Sequence, residues 1–441
     1  MFAFSASATE AVDYTDYDTA VEYLDAYTDN SNADENFAQN SATALETVRK
    51  EIPFFASFWT LVPPIIAIVL ALITKEVYSS LFIGILVGGL FSANFSVTKT
   101  LDVVTNTGFI DAVSGTAGIF IFLVLLGVLV ALLNKSGGSA AFGRWAEKHI
   151  HSKVGASLAT FVLGILIFID DYFNCLTVGS VMRPVTDANR ISRAKLAFLI
   201  DATAAPVCMI APISSWAAAV SSYAPEGEGL KLFIEAIPYN FYSLLTFVFI
   251  ITITLLKFDY GPMKLHEANA ENGDLFTSGQ DDIEKEEDIE ENPKGKVIDL
   301  VLPVVILIAI CIVALVYNGN GNSFSGMNFI DAFSNTDATV GLPWGALVAV
   351  LIAIAYFVIR RVVNFKAAMN CLPVGFKAMV PAITILTMAT ALKNMTTMLG
   401  AKVFVAQLME NAAAGLDKLL PAIIFIVACV LAFATGTSWG T

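Results

Sequence analysis

Charge is what this chain has least of. Of its 441 residues, 15% are charged against 56% hydrophobic, and a mean hydropathy of +0.70 lies above the range of soluble globular chains. That nearly rules out a cytosolic enzyme. Histidine is scarcer still, at three residues, and the five cysteines (Cys175, Cys208, Cys311, Cys371, Cys429) stand singly in apolar surroundings with no CxxC pair. Neither a disulfide framework nor a zinc site is expected. The chain has no GxxxxGK[ST], no GxGxxG after a strand and no nucleophile beside its base. ATP-driven pumping is disfavoured, and no enzymatic activity or cofactor is expected.

The charge that is present sits mainly in two places. Residues 1–53 hold 11 acids and 2 bases and residues 258–296 hold 12 acids and 4 bases, so these segments carry −17 of a net −14 and the rest is +3. No nucleic-acid footprint is present. The expected organisation is an acidic, disordered tail over 1–53, a first membrane half over 54–257, an acidic cytoplasmic linker over 258–296 and a second membrane half over 297–441. The linker's run DDIEKEEDIEE (281–291) reads as a solvated, disordered stretch. Ser5-Ala6-Ser7-Ala8 is also compatible with the small-residue end of a secretory leader whose apolar region is missing, and both readings of the start stay open. The chain stops at Gly436–Thr441 within an apolar window, so the second half is expected to be incomplete through truncation at the C-terminus.

A bilayer core takes about 20 mostly apolar residues per helix. Such windows recur near 54–73, 77–94, 113–134, 154–172, 196–220, 238–257, 297–317, 341–359, 374–392 and 419–441. The expectation is an all-α polytopic membrane protein of about ten transmembrane helices. Lys and Arg mark the cytoplasmic side: Lys135, Arg144, Lys148 and Lys153, then Arg183, Arg190, Arg193 and Lys195, then Arg360, Arg361 and Lys366. Residues 173–195 fit this alternation only if the chain enters after Asp170 and Asp171 and returns to the same face, as a re-entrant or broken helix.

The chain also resembles itself. ALLNKSGGSAAFGRWAEK (131–148) is similar to ALKNMTTMLGAKVFVAQLME (391–410), and each is followed by an apolar window ending in a polar break, at Asp170-Asp171 and at Thr435–Ser438. On the topology above the copies are inverted. Inverted repeats with interrupted helices at corresponding positions point to a secondary transporter's binding site.

The candidate chemistry follows from those breaks. Asp170 and Asp171 directly follow the apolar run Ala159–Ile169. A carboxylate at the bilayer centre costs on the order of 2.5–3.5 kcal/mol or more, so an adjacent pair needs an ion, a proton or a base. Burial and the like-charged neighbour both raise a carboxylate pKa, so such a group exchanges a proton for a cation. The structural alternative is a hydrated pair at a helix end, bridged to Arg183. Asn174, Thr177 and Ser180 follow at helical spacing and offer the neutral oxygens that hard cations take, or ordinary interhelical hydrogen bonds. A third acid, Asp201, precedes Thr203, Pro206 and Pro212, where the helix is expected to kink or unwind and free carbonyls; pairing with Arg193 or Lys195 is the alternative. In the second half Thr435, Thr437 and Ser438 supply hydroxyls. Na⁺ is thus assigned to Asp170, Asp171 and Asp201, with Asn174, Thr177, Thr203, Thr437 and Ser438 as further ion or proton ligands. His149 and His151 lie in a basic loop and read as ordinary hydrated side chains, with pH sensing as the alternative. Gly84xxxGly88 is a weak helix-contact signal.

Phe168–Asn174, Thr177–Ser180, Arg183–Asp187, Ser192–Ala197, Asp201–Pro206, Ala211–Trp216 and Gly436–Thr441 together resemble the NhaC-type Na⁺/H⁺ antiporter family. The likeness covers roughly residues 54–441. It implies a multi-pass plasma-membrane carrier of the broader ion-transporter superfamily, in which paired helical hairpins and broken helices build the site, often in homodimers that move by an elevator-like step. Family members continue past the GTSWGT motif. The function expected is exchange of cytoplasmic Na⁺ for external H⁺ by alternating access. The alternative within the same resemblance is an ion-coupled exchanger of organic acids of the malate and lactate type, with Arg183 as the carboxylate partner. A channel or a non-transporting membrane sensor is the rival from another class. The partners expected are Na⁺, H⁺ and the lipid bilayer, with a homodimer implied by the resemblance.

Overall fold

The computed structural model describes residues 17, 19–21, 23–24, 37–74, 76–168, 171–212, 214, 216–217, 229–277, 292–326, 328–410, 419, 421–426 and 428–429. Among these residues the regular structure is entirely helical. In chain order the helices are α1 (Phe37–Glu51), α2 (Val62–Thr74) after a 3₁₀ turn at Phe58–Leu61, α3 (Val77–Ser92) and α4 (Val97–Val103). A π-helical stretch at Val104–Ile110 joins α4 to α5 (Asp111–Lys135). Then come α6 (Gly138–His149), α7 (Lys153–Leu166), α8 (Asp171–Ala188), α9 (Arg193–Cys208), α10 (Gly229–Ala236), α11 (Phe241–Leu256) and α12 (Gly261–Glu271). Further along are α13 (Ile298–Gly319), α14 (Phe329–Ser334), α15 (Ala338–Ile359), α16 (Phe365–Met398) and α17 (Ala401–Glu410).

Four helical stretches among the described residues are long and apolar enough to cross a membrane, at Val97–Lys135, Ile298–Gly319, Thr339–Ile359 and Phe365–Met398. A fifth arises if Lys231–Tyr239 and Phe241–Leu256, bent by 49°, form one broken span. The expected windows at 54–73, 77–94, 113–134, 238–257, 297–317, 341–359 and 374–392 each fall on a helix. Two expected windows contain helix breaks, the second at the prolines where unwinding is expected. In the window at 154–172 the helix stops at Leu166, where the Asn174 amide of α8 donates to the carbonyls of Gly164 and Ile167. The window at 196–220 ends as a helix at Cys208, ahead of Pro212, whose ring disfavours helical geometry in the residue before it. Met209–Pro212 is unwound, and the Ser214 hydroxyl donates to the freed Cys208 carbonyl at 2.6 Å.

Two compact units form, one of residues 1–116 and 381–441 and the other of 117–380. In the first, α2, α3 and the end of α16 pack closely through small residues. A Cβ on Gly84 would lie 2.9 Å from Ala67 Cβ, and one on Gly88 would lie 2.7 Å from Met395 Cβ, so the Gly84xxxGly88 spacing is a helix contact. Part of the N-terminal tail is helical among the described residues. Helix α1 sets Ala44 and Val48 on one stripe, buried with Ile52 just past its end against Phe55, Leu399 and Val403, and Arg49 ties the turn by donating to the carbonyls of Phe55 (3.0 Å) and Ala56 (2.8 Å).

In the second unit a core of Leu126, Leu129, Leu132, Val178, Met182, Leu307 and Phe357 joins α5, α8, α13 and α15. At its edge Asp299, fully buried at the start of α13, receives Arg360 Nη1 and the Tyr356 hydroxyl (2.9 Å) from the end of α15.

The two sequence copies share a local structure. In each a long helix, α5 or α16, ends just before a glycine in the left-handed region, Gly137 at φ +77° or Gly400 at φ +70°, and a short helix follows, α6 or α17. Positive φ is the geometry that glycine adopts without steric cost.

Candidate functional site

Helices α7 and α8 form a hairpin. Lys153, at the start of α7, binds Glu271 Oε1 at 3.1 Å, and Arg190, just past α8, donates to the Glu271 carbonyl at 3.0 Å. The two legs therefore begin and end at the same place. At about 1.5 Å per residue, the 14 residues of α7 lift the hairpin tip about 21 Å above that base. Helix α9 starts at the same base, where Arg193 pairs with Asp187 at 2.7 Å, and its 16 residues rise about 24 Å before it unwinds. A hairpin tip and an unwound helix end thus reach the same depth.

The base is clamped by part of the expected linker. Helix α12 brings Glu267 against Ser192 N (2.8 Å), Lys153 (3.5 Å) and Lys195 (3.8 Å), while Asp259 receives Lys195 at 2.7 Å. Within the expected linker, residues 258–277 are docked, since Glu267 and Lys195 are buried and each needs its opposite charge. The run 281–291 lies outside the described residues.

The tip is polar on one face. Asp171 opens α8, where the helix dipole favours a negative charge, and Asn174 and Thr177 follow one turn apart on the same face. Asp171 is 6% exposed, Asn174 0%, Thr177 1% and Thr203 of α9 1%. The Asn174 amide donates to the carbonyls of Gly164 (2.6 Å) and Ile167 (2.8 Å), which closes the broken end of α7. Its Oδ1 and the Thr177 hydroxyl have no hydrogen-bond partner among the described residues. Gly164 permits the assembly: a Cβ there would lie 2.7 Å from Thr203 Cγ2 and 3.7 Å from Asn174 Oδ1. Thr203 spends its proton on the Leu199 carbonyl at 2.6 Å, leaving lone pairs on Oγ1.

Asp171, Asn174, Thr177 and Thr203 are thus assembled on α8 and α9 around the tip. Asp170, Thr437 and Ser438 lie outside the described residues. Asp201 is exposed while Ala202, Thr203 and Ala204 are buried, so it stands on another face of α9. It makes no ion pair among the described residues, because Arg193 and Lys195 are engaged by Asp187, Asp259 and Glu267. Arg183 is exposed and lies 12 residues along α8 from Asp171, about 18 Å up the helix axis. It is not a neighbour of the tip carboxylate. Ser180 donates to the Thr177 carbonyl at 3.0 Å. No three His, Cys, Asp or Glu side chains converge as a metal site among the described residues. Sequence reasoning missed Gly164 and the capping role of Asn174. A glycine within an apolar run has no periodic signature, although an amide one turn past a helix break is a readable capping signal.

Comparison with known proteins identifies the family. A Na⁺/H⁺ antiporter family model matches residues 219–441, half of the chain. The assembled tip residues precede that stretch, while Thr437 and Ser438 fall within it. The chain is also 32% identical over 414 residues to an uncharacterized protein of Haemophilus influenzae, covering 88% of this chain and 76% of that relative. No solved structure matches significantly. With apolar helices of spanning length and this match, the chain belongs to the Na⁺/H⁺ antiporter family and is a membrane cation/proton antiporter.

Proposed function

We propose that the protein exchanges cytoplasmic Na⁺ for external H⁺ across the plasma membrane by alternating access, as a homodimer whose chain has about ten spans in two inverted repeats. The observation that carries this reading is the pair of buried oxygens, Asn174 Oδ1 and Thr177 Oγ1, that accept no hydrogen bond among the described residues and share a helix face with Asp171. Buried polar atoms are normally paired. A hard cation supplies what these atoms lack, with the Asp171 carboxylate balancing its charge.

The coupling follows from electrostatics. An ionised carboxylate about 20 Å inside an apolar hairpin is unfavourable, so Asp171 is occupied either by Na⁺ or by H⁺ and rarely by neither. Exchange of one for the other across the two accessible states moves the ions in opposite directions. A single carboxylate gives one proton per sodium ion. Asp170 and Asp201 are the groups that would add protons and make the exchange electrogenic, and Thr437 and Ser438 would bring neutral oxygens from the second half. The matched helix, left-handed glycine and helix units at Gly137 and Gly400 support the repeat.

The test is a sodium pulse to proteoliposomes that hold a pH dye, without organic acid present. Sodium-dependent proton movement is expected in the wild type and should be lost in Asp171→Asn. An unchanged rate in a well-folded Asp171→Asn variant removes that residue from the mechanism. A response that needs malate and lactate on opposite sides would replace the proposal with organic-acid exchange.

A further inference from the structure

The basic loop that follows α6 is part of a cavity. About 690 Å³ of space is lined by Arg144, Lys148, Ile150, His151, Ala188 and Asn189, from the end of α6, the turn after it and the end of α8. The walls are fixed by packing. A Cβ on Gly143 would lie 3.3 Å from the Pro184 ring, and Asn189 Nδ2 donates to the Val185 carbonyl at 2.8 Å and reaches the Ile150 carbonyl at 3.5 Å. Arg144 and Lys148, four residues apart, share one face of α6. Among the described residues the lining contains no carboxylate, and Arg144 and Lys148 form no ion pair there. The two bases concentrate positive charge on one wall of the cavity.

The same helix carries an exposed aromatic group. Trp145 is 47% exposed, with the Phe142 ring 5.5 Å away and the His149 ring stacked on it at 4.8 Å. An exposed indole beside basic residues on an amphipathic helix is the arrangement found at the headgroup level of a bilayer. We propose that the cavity binds the phosphate headgroup of an anionic lipid. Arg144 and Lys148 hold the phosphate by charge-assisted hydrogen bonds, His151 adds a donor, and Trp145 rests at the acyl boundary. The exposed indole favours a lipid over a soluble phosphate compound, which would gain nothing from it. The hairpin ends against this cavity at Ala188 and Asn189, so the bound headgroup braces the base of α8.

The test uses the full chain, purified and delipidated. Native mass spectrometry with phosphatidylglycerol or cardiolipin against phosphatidylcholine should show retained anionic lipid on the wild type. At least tenfold weaker retention is expected in the triple variant Arg144→Gln, Lys148→Gln, His151→Gln, and weaker retention in Trp145→Ala. If the triple variant does not fold, the single variant Lys148→Gln should still reduce retention severalfold. Equal retention of anionic and zwitterionic lipid by the wild type, or unchanged retention in the folded variants, overturns the proposal. Inorganic phosphate bound without lipid, with the same dependence on Arg144 and Lys148, would reassign the cavity to a soluble anion.

Discussion

Thr177→Val separates the proposed sodium ligand from the fold. The substitution replaces a hydroxyl by a methyl group of the same shape at a site 1% exposed, where Oγ1 has no hydrogen-bond partner among the described residues. A buried hydroxyl without a partner costs about 1–3 kcal/mol on mutational scales. In sodium-free buffer the valine variant should therefore be as stable as the wild type or more stable by about 1 kcal/mol. At a hydrogen-bonded threonine the same change loses about 1 kcal/mol, so the sign is diagnostic. Sodium reverses the comparison. A ligand at one hundred times its Kd stabilises the native state by about 2.7 kcal/mol, and a tenfold weaker site at that concentration gives only about 1.4 kcal/mol. The sodium-induced rise in thermal stability should thus fall by about half. Thermal unfolding in detergent, titrated with NaCl against choline chloride, reads both quantities. A variant destabilised by more than 1 kcal/mol without sodium, or one with an undiminished sodium response, refutes the assignment of Thr177.

Gly164→Ala should cost about 1–3 kcal/mol by overpacking, because the new Cβ would meet Thr203 Cγ2 at 2.7 Å, whereas Gly179→Ala, with only Ile200 Cδ1 at 3.6 Å, should be neutral or stabilising. Melting temperatures of the two variants decide it, and equal losses would refute the close approach of α7 and α9. Asp299→Ala removes a fully buried carboxylate from Arg360 and Tyr356. Breaking such a pair costs about 3–5 kcal/mol when both ions are buried, and because Arg360 is partly exposed the lower end is expected. An unchanged urea midpoint would show that the contact contributes nothing.

The hydropathy windows located most of the helices because burial in lipid and burial in protein demand the same residues. The broken hairpin was legible at Asp170-Asp171, since two acids after an apolar run cannot continue a lipid-facing helix. Asp201 and Thr203 were grouped as ligands, yet two residues along a helix differ by about 200° in direction, and only Thr203 turns toward the hairpin. That separation was readable in advance. The Asp299–Arg360 pair joins residues 61 apart, and the contact of Glu267 with Ser192 N spans 75. Such pairings depend on how helices meet, which local pattern does not encode. Helix α1 was hidden because its stripe of Ala44 and Val48 lies at the end of a region whose composition is otherwise that of a solvated chain.

The hairpin also bears on how the protein is assembled. A strand of chain that crosses a bilayer must carry its flanking charges through the hydrocarbon during insertion. The segment from Lys153 to Arg190 need not, because both of its ends are anchored to Glu271 on one side. On the proposed re-entrant topology its charged anchors stay on the side where they were synthesised while the tip enters, and the proposed ion site forms without translocation of the hairpin's ends.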